Sequence, residues 1–186
     1  MTLADIKAQA RKDAFARRKQ AFASAGPGQS AHLSEVLAGY RGVAMAGYMP
    51  IRTEINPQAA MAECAAHGKV GVPVIQGAGL ALKFSEWEPD APLREGPFGA
   101  QVPIKDQFFE PEILIVPLVA FDLNGGRLGY GGGFYDRTLE RLRARRATLA
   151  IGFAFEAQQA ESLPLEITDQ PLDMIVTESR IVEFAS

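Results

Sequence analysis

The 186-residue chain has few of the groups from which many active sites are made. Cys64 is its only cysteine, which excludes an intramolecular disulfide and any cysteine-based zinc site. It lies in an alanine-rich helical stretch and reads as a small buried residue, not a nucleophile. His32 and His67, the only histidines, fit no triad or metal-ligand spacing and read as surface or helix-end residues. No apolar run reaches membrane-spanning length, and the polar first residues lack the apolar core of a signal peptide, so a cytoplasmic location is expected. Basic residues are not in excess either: 19 Lys and Arg against 22 Asp and Glu leave a net charge of −3. That balance argues against nucleic acid or an anionic membrane as partner, while leaving local basic clusters free to hold a small anion. Internal repeats and low-complexity segments are absent.

Hydrophobic residues make up 47% of the chain, enough for one domain over residues 1–186 that buries roughly two-thirds of its unfolded surface. Leu3, Ile6, Ala10, Ala14 and Phe15 recur at helical spacing, predicting an amphipathic helix over residues 2–22 with Thr2 as its cap. Gly26, Pro27 and Gly28 end it, and a second helix is expected over residues 30–38. Residues 43–49 read as a buried strand stopped by Pro50. Asn56 and Pro57 open a helix that Gly68 closes before a strand over residues 69–75. Leu80, Leu82 and Phe84 alternate toward a further strand ending near Trp87; residues 88–111 read as a long loop with little regular structure. The nearly continuous apolar run of residues 113–121 predicts a central strand covered on both faces. A helix over 135–146, a strand over 148–155 and short closing strands over 174–177 and 181–184 complete the alternation. The pattern predicts an α/β fold: one three-layer α/β/α sandwich around a mostly parallel sheet, with ligands at the carboxyl ends of the strands.

After that central strand comes the most informative segment, Arg127-Leu128-Gly129-Tyr130-Gly131-Gly132-Gly133-Phe134-Tyr135-Asp136-Arg137. Glycines without a Cβ let backbone N–H groups converge on an anion, and the helix beginning near Asp136 adds the positive end of its dipole. The spacing matches neither the P-loop nor the dinucleotide fingerprint. A plain hairpin or helix-entry loop is the alternative, but the flanking Arg, Tyr and Asp favour a phosphate cradle. Arg137 in a helix's first turn opposes the dipole, which implies an anionic neighbour, either a carboxylate or a bound phosphate that it would bracket with Arg127. Asp136 reads equally as helix cap or metal ligand, and Asp122 before Asn124-Gly125 as a turn residue that offers a second carboxylate. Lys7 and Arg11 share a helix face, which with Arg17, Arg18 and Lys19 reads as a solvated basic surface. Glu54 is a loop carboxylate past the first strand, and Tyr48 and Trp87 are better core residues than stacking platforms.

This glycine segment, the preceding Ala120-Phe121-Asp122, residues 48–55 (Tyr-Met-Pro-Ile-Arg-Thr-Glu-Ile), Lys7 and Asp173 together resemble the 5-formyltetrahydrofolate cyclo-ligase (5,10-methenyltetrahydrofolate synthetase) family over nearly the whole chain. The chain departs from it at Gly132, where some members carry lysine, and at Ala10, where many carry leucine. The resemblance implies ATP- and Mg2+-dependent cyclisation of 5-formyltetrahydrofolate to 5,10-methenyltetrahydrofolate. It implies ATP contacts from Lys7, Arg11, Gly129, Tyr130, Gly131, Gly132, Gly133, Phe134 and Tyr135. Met49 and Glu54 would form the folate pocket, Glu54 accepting from the pterin donors. Asp136 and Asp173 would hold Mg2+, and Arg127 and Arg137 would act on the γ-phosphate. A monomer or weak homodimer is expected. The competing class is a non-catalytic nucleotide- or folate-binding protein on the same fold, against which the joint presence of Lys7, Arg11, Glu54 and Asp136 weighs. An RNA-binding loop built on Gly126-Arg127-Leu128-Gly129 is disfavoured by the acidic net charge.

Overall fold

The computed structural model describes residues 1–185. Its centre is a run of apolar residues at β7 (Ile113–Val116), each exposed by 2% or less, so that each contributes roughly 1.5–3 kcal/mol of burial. Alternation decides which layer each side chain enters. Ile113 and Ile115 join one core with Leu33, Leu37, Tyr48, Met61 and Phe153, while Leu114 and Val116 join another with Leu118, Phe121, Leu139 and Leu142. Helices α2 (Ala31–Ala38) and α3 (Gln58–Ala65) therefore cover one face of the sheet, and α4 (Phe134–Arg145) covers the other. This is the expected three-layer α/β/α arrangement.

Strands β1 (Met45–Ala46), β2 (Val70–Val74), β7, β10 (Leu149–Phe153) and β11 (Met174–Val176) run parallel. Antiparallel β3 (Lys83–Glu86), β6 (Phe108–Phe109) and β12 (Ile181–Glu183) finish the edges, giving the order β12-β11-β10-β7-β1-β2-β3-β6. From β1 the chain moves through α3 to β2 on one side. After β7 it moves through α4 to β10 on the other. The switch in direction thus falls between β1 and β7, and the crevice beyond their carboxyl ends is where such a sheet collects ligand groups.

Helix α1 (Leu3–Ala23) lies at that end. Thr2 caps it reciprocally with Asp5, as the composition of the first turn allows. Only part of the expected apolar stripe is buried, however. Leu3 and Ile6 are exposed, whereas Ala14, with Ala10 and Phe15 beside it, packs over the hairpin of β8 (Ala120–Phe121) and β9 (Arg127–Leu128), and Lys7 and Arg18 are the charged residues buried on this helix. Three further expectations are corrected. Residues 88–111 carry a hairpin, β4 (Leu93–Glu95) with β5 (Gln101–Pro103), in which Leu93, Arg94 and Glu95 face Pro103, Val102 and Gln101, and then β6, whose Phe108 and Phe109 pair with β3. The run 113–121 is interrupted after Val116, where Pro117 cannot donate to the ladder, and its last residues pair with β9 instead of extending β7. Leu80 is exposed and outside β3.

Candidate active site

From Leu128, at the end of β9, the chain enters the glycine loop. Gly131 (φ 104°) and Gly133 (φ 70°) occupy the left-handed region that side chains resist. Among the described residues no acceptor takes the amides of Tyr130, Gly131, Gly132 or Gly133, and α4 begins at Gly133 without a side-chain cap. The first-turn amides of α4 add to this run of free donors at the positive end of the helix dipole. Arg11 Nε donates to Gly129 O at 2.7 Å and pins the loop's entry. Arg137 Nη2 donates to Gly132 O at 2.8 Å at its exit, its guanidinium 5.1 Å over the Phe134 ring. Its partners are carbonyls, not the carboxylate its position had suggested.

Behind the loop, Arg127 is 7% exposed and gives Nη2 to Asp136 Oδ1 at 2.6 Å. Burial lowers the Arg127 pKa from its ordinary value, and the neighbouring Asp136 and Asp169 charges oppose that shift. Asp136 is the third residue of α4, not its cap, and the same oxygen accepts from Gln170 N at 2.8 Å. Arg127 and Arg137 do stand at opposite ends of the loop.

The second half of the site follows β1. Glu54 is 5% exposed; its Oε1 accepts from Ile51 N at 2.8 Å and its Oε2 from the Tyr130 hydroxyl at 3.1 Å. Burial raises the Glu54 carboxyl above its ordinary range, with the Ile51 N–H, Arg18, Tyr130 and Arg52 pulling the other way. Burial, with the Glu54 charge beside it, pushes the Tyr130 hydroxyl up to about 12. Met49 is half-buried in this loop, its sulfur 3.6 Å from Gln58 Nε2.

Arg18 joins the halves. Fully buried, it donates from Nε to Thr53 Oγ1 at 3.0 Å and from Nη1 to the Tyr130 hydroxyl at 2.8 Å, with Leu118 O 3.5 Å away. It thereby spans the loops that leave β1 and β7 at the switch point. Read as a solvated charge with Arg17, Arg18 is instead the most enclosed cation of the site, while Arg17 stays outside on Ala157 O at 2.8 Å. The spacing Lys7, Arg11, Ala14, Arg18 was the signal, since it traces one helix face. Thr53, Glu166 and Asp169 left no such trace.

Among the described residues the buried side-chain polar atoms without a partner are Arg18 Nη2, Arg127 Nε and the Tyr135 hydroxyl. Each such atom costs about 1–3 kcal/mol unless something fills the place, and all three belong to this site. A cleft of about 620 Å3 lies along a neighbouring face of α1, lined by Arg17, Gln20, Phe155 and Glu178, and includes none of them. Free amides and unpaired donors locate the site better than cavity volume, because a phosphate cradle opens to solvent.

Two expected roles meet competition. Lys7 Nζ sits 2.6 Å from Glu166 Oε2 and 3.3 Å from Asp169 Oδ2, so its charge is already shared. Asp173 lies at the amino end of β11, its Oδ2 accepting from Ala150 N at 2.8 Å and Arg143 Nη2 at 3.0 Å. Arg143 is in the last turn of α4 and Asp136 in the first, so the two carboxylates are not brought together. Asp122 Oδ1 accepts from Asn124 N and Gly126 N, each at 2.9 Å, and is the turn residue.

The sequence profile of the 5-formyltetrahydrofolate cyclo-ligase family matches residues 4–178. The 5-formyltetrahydrofolate cyclo-ligase of Haemophilus influenzae is 43% identical over 101 residues, 51% of this chain and 54% of that protein. The Escherichia coli protein of that name is 49% identical over 73 residues, 39% and 40% of the two chains. In these relatives the match spans about half or less of their length. The Mycolicibacterium smegmatis protein is 26% identical over 94% of both chains. Among solved structures, the 5,10-methenyltetrahydrofolate synthetase of Aquifex aeolicus superposes with a TM-score of 0.74 at 27% identity, covering 97% of this chain and 94% of that one. The Mycoplasma pneumoniae synthetase shares the fold, with a TM-score of 0.61 at 22% identity, covering 89% of this chain and 99% of its own.

Proposed function

The chain belongs to the 5-formyltetrahydrofolate cyclo-ligase family, and from that premise we propose that it converts 5-formyltetrahydrofolate to 5,10-methenyltetrahydrofolate, with ATP going to ADP and phosphate. One observation carries the reading. A run of free amides from Tyr130 to Gly133, suited to a polyphosphate, lies one hydrogen bond of 3.1 Å from Glu54, suited to a pterin. Two ligands of those chemistries bound side by side are what the reaction requires.

The formyl oxygen, made nucleophilic by the N5 lone pair, attacks the γ-phosphorus, and the bond to ADP breaks. N10 then attacks the activated carbon, loses its proton, and the C–O bond to phosphate breaks, leaving the conjugated methenyl product. The first step needs positioning and charge neutralisation more than a protein nucleophile. The loop amides, Arg11 and Lys7 hold the phosphates, with Phe134 and Tyr135 lining the cradle. Arg127 and Arg137 meet the transferred group from either end of the loop, and Met49 and Glu54 hold the folate. Among the described residues no three His, Cys, Asp or Glu side chains converge on one point, so a divalent ion would be held by the free oxygen of Asp136 together with phosphate oxygens. Bound there, Mg2+ would neutralise the β- and γ-oxygens. Asp173 can join Asp136 on the ion only by rearrangement of residues 166–173 relative to α4.

We further propose that residues 1–186 act as one domain, as a cytoplasmic monomer or weak homodimer; among the described residues no helix is long and apolar enough to cross a membrane. Incubation with 5-formyltetrahydrofolate and Mg-ATP, followed by the absorbance of the methenyl product, tests the activity. Tight binding of both ligands without product would leave the non-catalytic binder.

A further inference from the structure

We infer that Arg18 is a positioning residue that couples the two halves of the site, so that filling the glycine loop and binding folate at Glu54 favour one another through Tyr130. The identity of the two ligands rests on the reading above.

Tyr130 belongs to the glycine loop, between Gly129, whose carbonyl Arg11 holds, and Gly131. Its hydroxyl accepts from Arg18 Nη1 at 2.8 Å and donates to Glu54 Oε2 at 3.1 Å, so a single O–H fixes the direction of the chain Arg18, Tyr130, Glu54. Its ring is covered by the Arg18 guanidinium at 5.6 Å and by that of Arg52 at 5.6 Å, and it meets Phe15 at 5.7 Å. Arg52, two residues before Glu54, holds a left-handed φ of 52°, a strained backbone that its surroundings must maintain. Yet Tyr130 itself is 39% exposed on a segment whose amides have no protein partners. An anion that takes those amides gives the segment partners that the protein does not supply. The hydroxyl is then held where it serves Glu54, and a ligand on Glu54 returns the favour. Arg18 is what keeps this local: its other bonds, to Thr53 and toward Leu118, tie the hydroxyl's position to both loops at the switch point.

The test measures 5-formyltetrahydrofolate affinity with and without magnesium and a non-hydrolysable ATP analogue, in the parent, Tyr130→Phe, Arg18→Lys and Arg18→Met. The analogue should tighten folate binding in the parent by about fivefold or more. Tyr130→Phe keeps the ring and removes the relay, so the coupling falls below about twofold whatever the change in each separate affinity. Arg18→Lys keeps the charge but not the fork and should also lose the coupling. Arg18→Met should in addition move the pH midpoint of folate binding upward, because Glu54, set among the hydroxyls of Tyr48, Tyr130 and Tyr135, loses one of the two cations, Arg18 and Arg52, that favour its charged form. A purely structural Arg18 would lower both affinities and Tm together without changing their ratio. Coupling of parent strength in folded Tyr130→Phe overturns the inference whether or not the Arg18 variants fold. So does a parent that turns over substrate without coupling, which leaves the proposed activity standing. If neither ligand binds the parent, the activity falls, and the inference with it.

Discussion

Helices α1 and α4 begin in opposite ways. At α1, Thr2 Oγ1 accepts from Asp5 N at 3.2 Å while Asp5 Oδ2 accepts from Thr2 N at 2.8 Å, so the chain closes its own helix end. At α4 nothing closes it: Gly133 offers no side chain, Asp136 is turned to Arg127, and the amides before the helix are free. The same four orphan donors exist at both ends. One set is used for stability and the other is left available, which is the mark of a place where a ligand completes the structure.

Gly131→Val would break this contrast most severely. At φ 104° the new side chain strains the loop and meets the Arg11 guanidinium, whose nearest atom lies 3.5 Å from the added Cβ position. Loss of roughly two charge-assisted bonds at 1.5–3 kcal/mol each should weaken Mg-ATP binding at least about a hundredfold, while the strain lowers the melting temperature by no more than a few degrees. Parent-like ATP affinity in the folded variant would return the segment to an ordinary helix entry.

Next in size is the double change Lys7→Ala with Arg11→Ala. Because Glu166 and Asp169 already share Lys7, we expect about a tenfold loss of ATP affinity, not the product of two full ion contacts. Arg17→Ala is the control, as its side chain lies outside the site; Arg18 cannot serve as one. Equal ATP affinity in the double variant and the control would make α1 purely structural.

Glu54→Gln separates the halves. An amide would aim a donor at a pterin donor, so folate affinity should fall severalfold while ATP binding without folate stays put. Glu54 also makes a signed prediction with pH. Its folded-state pKa lies above the unfolded one, so the folded protein holds the proton more tightly. Between those two values stability should decline as pH rises, whereas folate binding, if the proposed contact uses the carboxylate, should improve. Subtracting the Glu54→Gln titration isolates this term, and parallel trends of binding and stability would remove Glu54 from the pterin.

The smallest effect is expected at the closed end. Thr2→Ala should cost about 1 kcal/mol of stability and leave ATP kinetics untouched. A kinetic change there would mean that the start of α1 also serves the ligand.

Where a local rule governed, the sequence was readable. Thr2, the glycine loop and the parallel strands follow from capping, backbone freedom and hydrophobic periodicity, and the resemblance to the family supplied the roles proposed for the loop and for Glu54 beyond the first strand. Readability failed where the outcome depended on what a distant segment supplied. Residues 88–111 looked irregular because prolines and glycines hid pairings with β3 and between β4 and β5. Arg17 and Arg18 look alike in the chain, yet one is a surface residue and the other is wholly enclosed.

By itself, then, the sequence determined the alternating elements, the place where the backbone is barest, and the family. The tertiary structure decided which charges were worth burying. A buried arginine needs partners from several segments, here Thr53, Leu118 and Tyr130 on Nε and Nη1, which lie 35, 100 and 112 residues from Arg18 along the chain. Desolvation is local to a residue, but its compensation is not. No reading of neighbours in sequence reveals it until the sheet's switch point has gathered those segments together.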